Sequence, residues 1–197
     1  MSFAPGKPLR RATLADLLAI PEEDRRHELI DGEIVEKEAA SGRHGQAQGS
    51  LFHLLFPYRR RGGPPDRPSG WLFATEVEVY FDEAYTLRPD NAGWRRERLA
   101  ELPADVPIRV VPDWINEVLS KNKRNDLVKK KRVYHQHRVG HYWIIDPVEE
   151  ILQVHRWTEA GYVEVLAAER HERVRAEPFD GIELPVGVLF GDDEPGD

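Results

Sequence analysis

The sequence predicts one domain of the α/β class, built as an α/β or α+β sandwich. Three observations carry that reading. The chain has 197 residues, ordinary for one domain and short for two at about 150 residues each. Its 40% hydrophobic content supports a real core even with 32% charged residues. Segments of helical spacing alternate with short apolar strands along the chain, and no internal repeat or second boundary interrupts them. Residues 1–190 are expected to form the domain, with residues 191–197 an acidic, frayed tail.

The elements follow in order. Thr13 before Leu14, Leu17 and Leu18 reads as a capped short helix that stops near Pro21. His27 to Ile30 and Glu33 to Val35 are strands joined by Asp31-Gly32, where glycine accepts the positive φ of a hairpin turn. Ala47, Leu51, Leu54, Leu55 and Tyr58 give a helix from Gly42 to about Tyr58. Arg61 to Gly70 is a loop of glycine and proline pairs. Trp71 to Phe73 is a strand, and Val77, Val79 and Phe81 alternate with Glu76, Glu78 and Tyr80 in another. Leu87 to Asp90 opens or ends a short strand, and residues 91–107 read as an insertion. Pro112 to Ser120 is a central strand. Arg124 to Arg138 is a basic helix with Gly140 as its left-handed cap. His141 to Ile145 is a buried strand, and Ile151–Trp157, Tyr162–Leu166 and Ile182–Phe190 supply outer strands.

Composition excludes several classes of function. With no cysteine there is no disulfide scaffold, thiolate zinc site or cysteine nucleophile. No apolar run approaches the roughly 20 residues of a membrane span, and the first residues lack the apolar core of a secretory signal, so the cytoplasm is the expected compartment. The net charge of −7 argues at first sight against nucleic acid. It is unevenly placed. From Thr158 onward 11 acids face 3 bases, a local −8 that leaves +1 for the rest. Lys121 to Arg132 holds seven bases and one acid, and Arg59-Arg60-Arg61 forms a second cluster, either of which can attract phosphates or simply face solvent.

Two carboxylates stand out against this background. Asp90 follows proline at the end of an apolar strand, and Glu117 lies inside Trp114-Ile115-Asn116-Glu117-Val118-Leu119. A carboxylate among apolar strand neighbours costs desolvation energy unless something compensates it, and two that converge repel each other. A divalent cation relieves both problems, since Mg²⁺ takes hard oxygen ligands. A nearby lysine can then orient water and offset charge that builds on phosphorus. Singly, Asp90 also suits a turn, Glu117 an ion pair at a sheet edge, and the lysines a surface. The order acid, acid, lysine is what suggests a metal-dependent phosphodiesterase.

From about Thr13 to Phe190 the chain resembles the Uma family of putative bacterial restriction endonucleases, within the PD-(D/E)XK phosphodiesterase superfamily. The matching pieces are Glu28-Leu29-Ile30-Asp31-Gly32-Glu33, His44 at a helix start, Arg88-Pro89-Asp90, and Glu117-Val118-Leu119-Ser120. Asp126, Lys130 and Tyr134 at four-residue spacing and Tyr142-Trp143-Ile144-Ile145-Asp146-Pro147 complete them. The resemblance implies a restriction-endonuclease-like core, a four-stranded mixed sheet flanked by helices, with extra C-terminal antiparallel strands. It also implies Mg²⁺-dependent hydrolysis of DNA phosphodiesters, with Mn²⁺ as substitute. Asp90 and Glu117 would ligate the ion, with the Val118 carbonyl as a third ligand. Glu28 would hold a water or second ion, His44 would point into the cleft, and Lys130 would be the catalytic lysine. Lys121, Lys123, Arg124 and Lys131 would contact substrate phosphates. A homodimer fits the family habit of cutting two strands with two subunits, although no sequence feature marks an interface.

The sequence departs from the superfamily pattern where the lysine belongs. Two residues after Glu117 stands Leu119, so the resemblance supplies a migrated lysine on the following helix. Periodicity does not choose between Lys130 and Lys131, since both lie three or four residues from Leu127 and Tyr134; the family register prefers Lys130. Other constellations are weaker. His135, His137 and His141 do not share a helix face as a zinc set would. Gly42 to Gly49 lacks the Gly-Lys-Ser/Thr ending of a phosphate loop, and Ser120 has no nucleophile elbow. The competing reading is a catalytically inactive binding or assembly module, motivated by Leu119 and the acidic C-terminal third.

Overall fold

The computed structural model describes residues 10–62, 68–120 and 123–193. Lys121, part of the loop after Arg61, and most of the expected tail lie outside the described residues.

The first turn of the chain behaves as its sequence demands. Thr13 caps α1 (Leu14–Leu18), and the Asp16 carboxylate returns a bond to the Thr13 backbone N–H, a reciprocal capping box. Strands β1 (His27–Ile30) and β2 (Glu33–Glu36) pair antiparallel across Asp31 and Gly32, both at positive φ. Then α2 (Gly42–Leu54) starts on a Ser41 side-chain cap and ends in a short 3₁₀ turn, Phe56–Arg59. β4 (Val79–Asp82) and β5 (Tyr85–Leu87) form a second ribbon that joins β1, giving a small sheet of order β2-β1-β5-β4.

The main sheet has six strands, not four, in the order β10-β9-β8-β7-β6-β3. Its members are β3 (Trp71–Thr75), β6 (Asn91–Arg95), β7 (Trp114–Val118), β8 (His141–Asp146), β9 (Ile151–Thr158) and β10 (Gly161–Glu169). Only β7 and β8 run parallel, joined through the basic helical segment; every other pair is antiparallel. The sheet is mixed, and the β9–β10 hairpin extends it by two strands.

Three expectations fail locally. Residues 91–95 are a strand between β3 and β7 rather than an insertion. Asn91, Ala92 and Gly93 have poor strand propensity, but small residues are what the crowded position accepts: a Cβ on Gly93 would sit 3.0 Å from the Phe73 ring and 3.1 Å from Trp114. The basic helix is a π-helical turn, Asn125–Lys130, followed by α3 (Lys131–Gln136), and its left-handed closing residue is Arg138 at φ 58°. Gly140 serves another purpose, since a Cβ there would lie 3.2 Å from the Asp113 carbonyl. The expected strand Ile182–Phe190 is two residues of β12 (Leu184–Pro185), paired with β11 (Arg173–Val174), and then a 3₁₀ turn, Val186–Phe190. Gly187 and the cramped left-handed Gly191 favour that turn over extension.

Strand alternation places two apolar clusters on opposite faces of the sheet. Trp114, Val118, Trp143 and Ile145 face α2 and the C-terminal segment, where Phe179 packs against five aromatic rings. Ile115, Leu119, Tyr142 and Ile144 face the small sheet and α3. No helix among the described residues is long and apolar enough to cross a membrane.

Candidate active site

The site forms where the small sheet meets the C-terminal end of β7. Asp90 stands one residue before β6, and the register that sets Asn91 opposite Asn116 carries it to the level of Glu117. An Asn91–Asn116 side-chain bond of 2.9 Å locks that register from within. Both carboxylates are almost wholly buried, at 1% exposure each. Asp90 Oδ2 accepts the Val118 backbone N–H at 2.7 Å, which fixes the rotamer. Its Oδ1 lies 2.7 Å from Lys37 Nζ and 3.3 Å from His44 Nε2. Burial pushes the Asp90 carboxyl up, but His44 and Lys37 outweigh it and hold the group below the usual carboxylate range.

Glu117 lies on the β7 face shared with Ile115 and Leu119, so it points toward α3. Tyr134 donates its hydroxyl to Glu117 Oε1 at 2.5 Å, and Lys130 Nζ lies 3.3 Å from the same oxygen. Lys130 is itself 3.1 Å from Glu28 and 3.4 Å from Asp126, so three carboxylates converge on one buried ammonium. Burial pushes Glu117 up to about 8, with Lys130 opposing and Asp90 and Asp126 adding to the rise. For Lys130, burial works against the charge, and the surrounding acids overcome it, so the ammonium stays protonated. The cluster titrates as a set rather than residue by residue.

The helical segment settles what periodicity left open. The π-helical turn places Asp126 and Lys130 inward, while Lys131 lines a separate groove with Leu127, His135 and Tyr162. Glu28 is buried on β1 and accepts the Arg88 backbone N–H at 2.7 Å, so it both holds Lys130 and ties the segment before Asp90. His44 enters the cleft from the first turn of α2. Of the residues expected to meet phosphates, Lys123 is bound to Asp146 at 2.5 Å, and Arg124 is exposed. Leu119 is buried in the core, and Val118 lines the cleft. That cleft is small, with a cavity volume of about 90 Å³, and has Glu28, His44, Asp90, Glu117 and Lys130 on its walls.

Three further residues belong here that sequence reasoning passed over. Lys37 follows β2 and contacts Asp90. Gln48, one turn beyond His44 on α2, donates to the Asp90 backbone carbonyl at 2.7 Å. Glu76 sits at φ 54°, a strained conformation for a non-glycine residue, and its carboxylate meets Lys37 at 2.8 Å. Alternation had grouped Glu76 with Glu78 and Tyr80 in one strand; β4 begins only at Val79, and Glu76 lies before it with its carboxylate on Lys37. The four-residue step from His44 to Gln48 was a signal available in the sequence. Lys37 and Glu76 had none, because both belong to junctions between elements.

Residues 14–187 match the family described as Uma2, putative restriction endonuclease. The chain belongs to this family. In fold, this Uma2 chain is similar to a crystal structure of a putative nuclease belonging to DUF820 from Anabaena variabilis ATCC 29413. The TM-score is 0.68 and the identity 22%, with 90% of this chain and 97% of the other covered. At that identity the likeness establishes the fold of this Uma2 member alone. No curated protein matches it.

The residues present suit a divalent cation. His44, Glu76 and Asp90 each offer a ligand atom, and these atoms lie within 4.8 Å of one another. His44 Nε2 is buried 3.3 Å from Asp90 Oδ1, in a contact that lacks hydrogen-bond geometry. A buried imidazole nitrogen so poorly satisfied is costly unless something binds it.

Proposed function

We propose that this Uma2 protein is an endonuclease that hydrolyses DNA phosphodiester bonds with Mg²⁺, or Mn²⁺ in its place. One observation carries the reading most of the way: two buried acids at the ends of adjacent strands open onto one cleft, with the Lys130 ammonium 3.3 Å from the second acid. In that arrangement Lys130, from the π-helical turn, would stand in for the lysine whose expected place, one residue past β7, is taken by Leu119. It gives no support to the inactive module, which lysines lying far from both acids would have favoured.

Asp90 would hold the ion together with His44 and Glu76, whose ligand atoms lie near its own, and Glu117 and the Val118 carbonyl would be further ligands. Oxygen donors suit Mg²⁺ and Mn²⁺, and an imidazole in the set favours Mn²⁺ of the two. When bound, the ion supplies Lewis-acid polarisation of a phosphoryl oxygen and a lowered pKa for water. The protein does the rest. Lys130, held by Glu28 and Asp126, is positioned to orient water and to offset charge developing on phosphorus. Glu28 fixes Lys130 and the Arg88 backbone together, so the lysine and Asp90 are set by one carboxylate. In-line attack of water on phosphorus breaks the bond to the 3′ oxygen, leaving a 5′-phosphate and a 3′-hydroxyl.

The test uses supercoiled plasmid and single-stranded and branched DNA, incubated with Mg²⁺ or Mn²⁺. Cleavage is expected that chelator stops and that Asp90→Asn and Glu117→Gln each remove. Absence of cleavage on every substrate, or cleavage that survives both substitutions, defeats the proposal.

A further inference from the structure

Lys37 has no part in the mechanism proposed above. Its side chain reaches back from the residue after β2, with the backbone N–H anchored to the Arg26 carbonyl at 2.7 Å. The ammonium meets four oxygens: Asp90 Oδ1 at 2.7 Å, Glu76 Oε2 at 2.8 Å and Oε1 at 2.9 Å, and the Arg88 carbonyl at 2.8 Å. An ammonium has three protons, so every one is engaged. Two of the three side chains that could hold a metal are thereby bonded to Lys37, while the third, His44, has only a 3.3 Å contact with Asp90 that lacks hydrogen-bond geometry. Lysine can neutralise the carboxylates, but with all three protons engaged it has none left for the imidazole nitrogen. A divalent ion would satisfy all three.

The exposures give the arrangement a direction. The Lys37 side chain is 17% exposed and Asp90 is 1%, so the lysine reaches solvent where the acid does not. Its flexible four-carbon stem can swing outward with the backbone anchor intact. Glu76, held at a strained φ by bonds from Arg88 to its carbonyl, keeps its carboxylate turned toward the same point.

We propose that Lys37 is a resident counter-cation of the metal site, which holds Asp90 and Glu76 in the metal-free protein and must leave before a divalent ion binds. This rests on the assignment of a cation to Asp90 made above. The site is then competent only in the minor population with Lys37 displaced. If that population is about 1–10%, the apparent Kd is raised roughly 10- to 100-fold over the intrinsic value. Removing the lysine restores the intrinsic affinity.

Calorimetric titration with Mn²⁺ tests this without any reaction. Wild type, Lys37→Met, Lys37→Gln, Asp90→Asn and the Lys37→Gln/Asp90→Asn double variant are compared. Lys37→Gln keeps a neutral hydrogen-bond donor, in case the methionine variant folds poorly. The expected result is binding at least about tenfold tighter in the lysine variants than in wild type, lost again in the double variant. In wild type, Mn²⁺ should also raise the rate at which an amine-acylating reagent modifies Lys37, read by mass spectrometry, while exposed Lys129 reacts unchanged. Equal or weaker binding in the lysine variants, with Asp90→Asn still abolishing it, overturns the role of Lys37 and leaves the metal site standing. Failure of acylation to respond at saturating Mn²⁺ overturns it too. Binding indifferent to Asp90→Asn, or absent throughout, overturns the metal assignment and this inference with it.

Discussion

Lys130 and Lys131 differ by one position and by their entire environment. Lys130 is enclosed by Glu28, Glu117 and Asp126, whereas Lys131 is half exposed in another groove, where burial draws its pKa down. Neutralising Lys130 removes the cation beside Glu117 and Glu28. Lys130→Met is expected to lower cleavage by roughly 10²–10³-fold, the loss typical of one preorganised electrostatic group. Lys131→Met should stay much closer to wild type. Matched single-turnover assays on the same DNA, with circular dichroism to confirm folding, separate the two. Equal losses would return the catalytic role to an open choice. At this scale the sequence reading was incomplete in a specific way. It identified Glu28, His44, Asp90, Glu117 and Lys130 as residues to examine, and all five line one cleft. It missed Lys37 and Glu76, since a charge beside a strand end looks like a solvated residue until the chain is folded.

Strand β6 shows how an element can be hidden. Asn91-Ala92-Gly93-Trp94-Arg95 has neither alternation nor β-branched residues, yet it is hydrogen-bonded on both edges, by β3 and β7. Neighbouring rings dictate its composition. Gly93 lies under Phe73 and Trp114, which stand edge to face at 5.8 Å. Gly93→Ala should therefore overpack the aromatic cluster and destabilise the protein by about 1–3 kcal/mol, measured by urea denaturation. Because β6 also sets the height of Asp90 against Glu117, the same variant should weaken Mn²⁺ binding. A neutral effect on stability would mean the rings yield more easily than their packing suggests. The π-helical turn is the second hidden element. Spacing left Lys130 and Lys131 equally placed, and it gave no sign of the wider turn that seats Asp126 and Lys130 under Glu117.

Across the whole molecule, pH sensitivity is written into the far end of the sheet as well as into the site. His155 on β9 is buried against Tyr142 and Tyr162. Burial, with Lys131 adding, lowers its pKa from the ordinary 6.5, while Glu164 opposes. A histidine whose folded pKa is depressed contributes stability that is complete above its unfolded value. That contribution is lost as pH falls below about 6.5 toward the folded pKa, because the unfolded chain takes up the proton first. The urea midpoint should drop between pH 7.5 and pH 5.5, and His155→Phe should reduce that drop. An identical pH dependence in the variant would show that His155 is not the group responsible. His141, also lowered chiefly by burial, acts in the same sense.

The charge pattern is likewise decided at the scale of the molecule. The strip from Lys121 to Arg132 looked like a basic face in the sequence, but Lys123 is bonded to Asp146 and Lys130 is buried. What the linear order determined was the one-dimensional part: the capped first helix, the Asp-Gly hairpin, the central strands β7 and β8, and the acid–acid–lysine succession. Those depend on local propensity and on apolar spacing, which neighbouring residues record. Tertiary structure alone decided which lysine faces the acids, that residues 91–95 form a strand, and that Lys37 and Glu76 meet Asp90 from elements far apart in the chain. The physical reason is common to all three. A buried charge is stabilised only by partners brought within about 3 Å, and that convergence is a property of packing, which no local stretch of sequence contains.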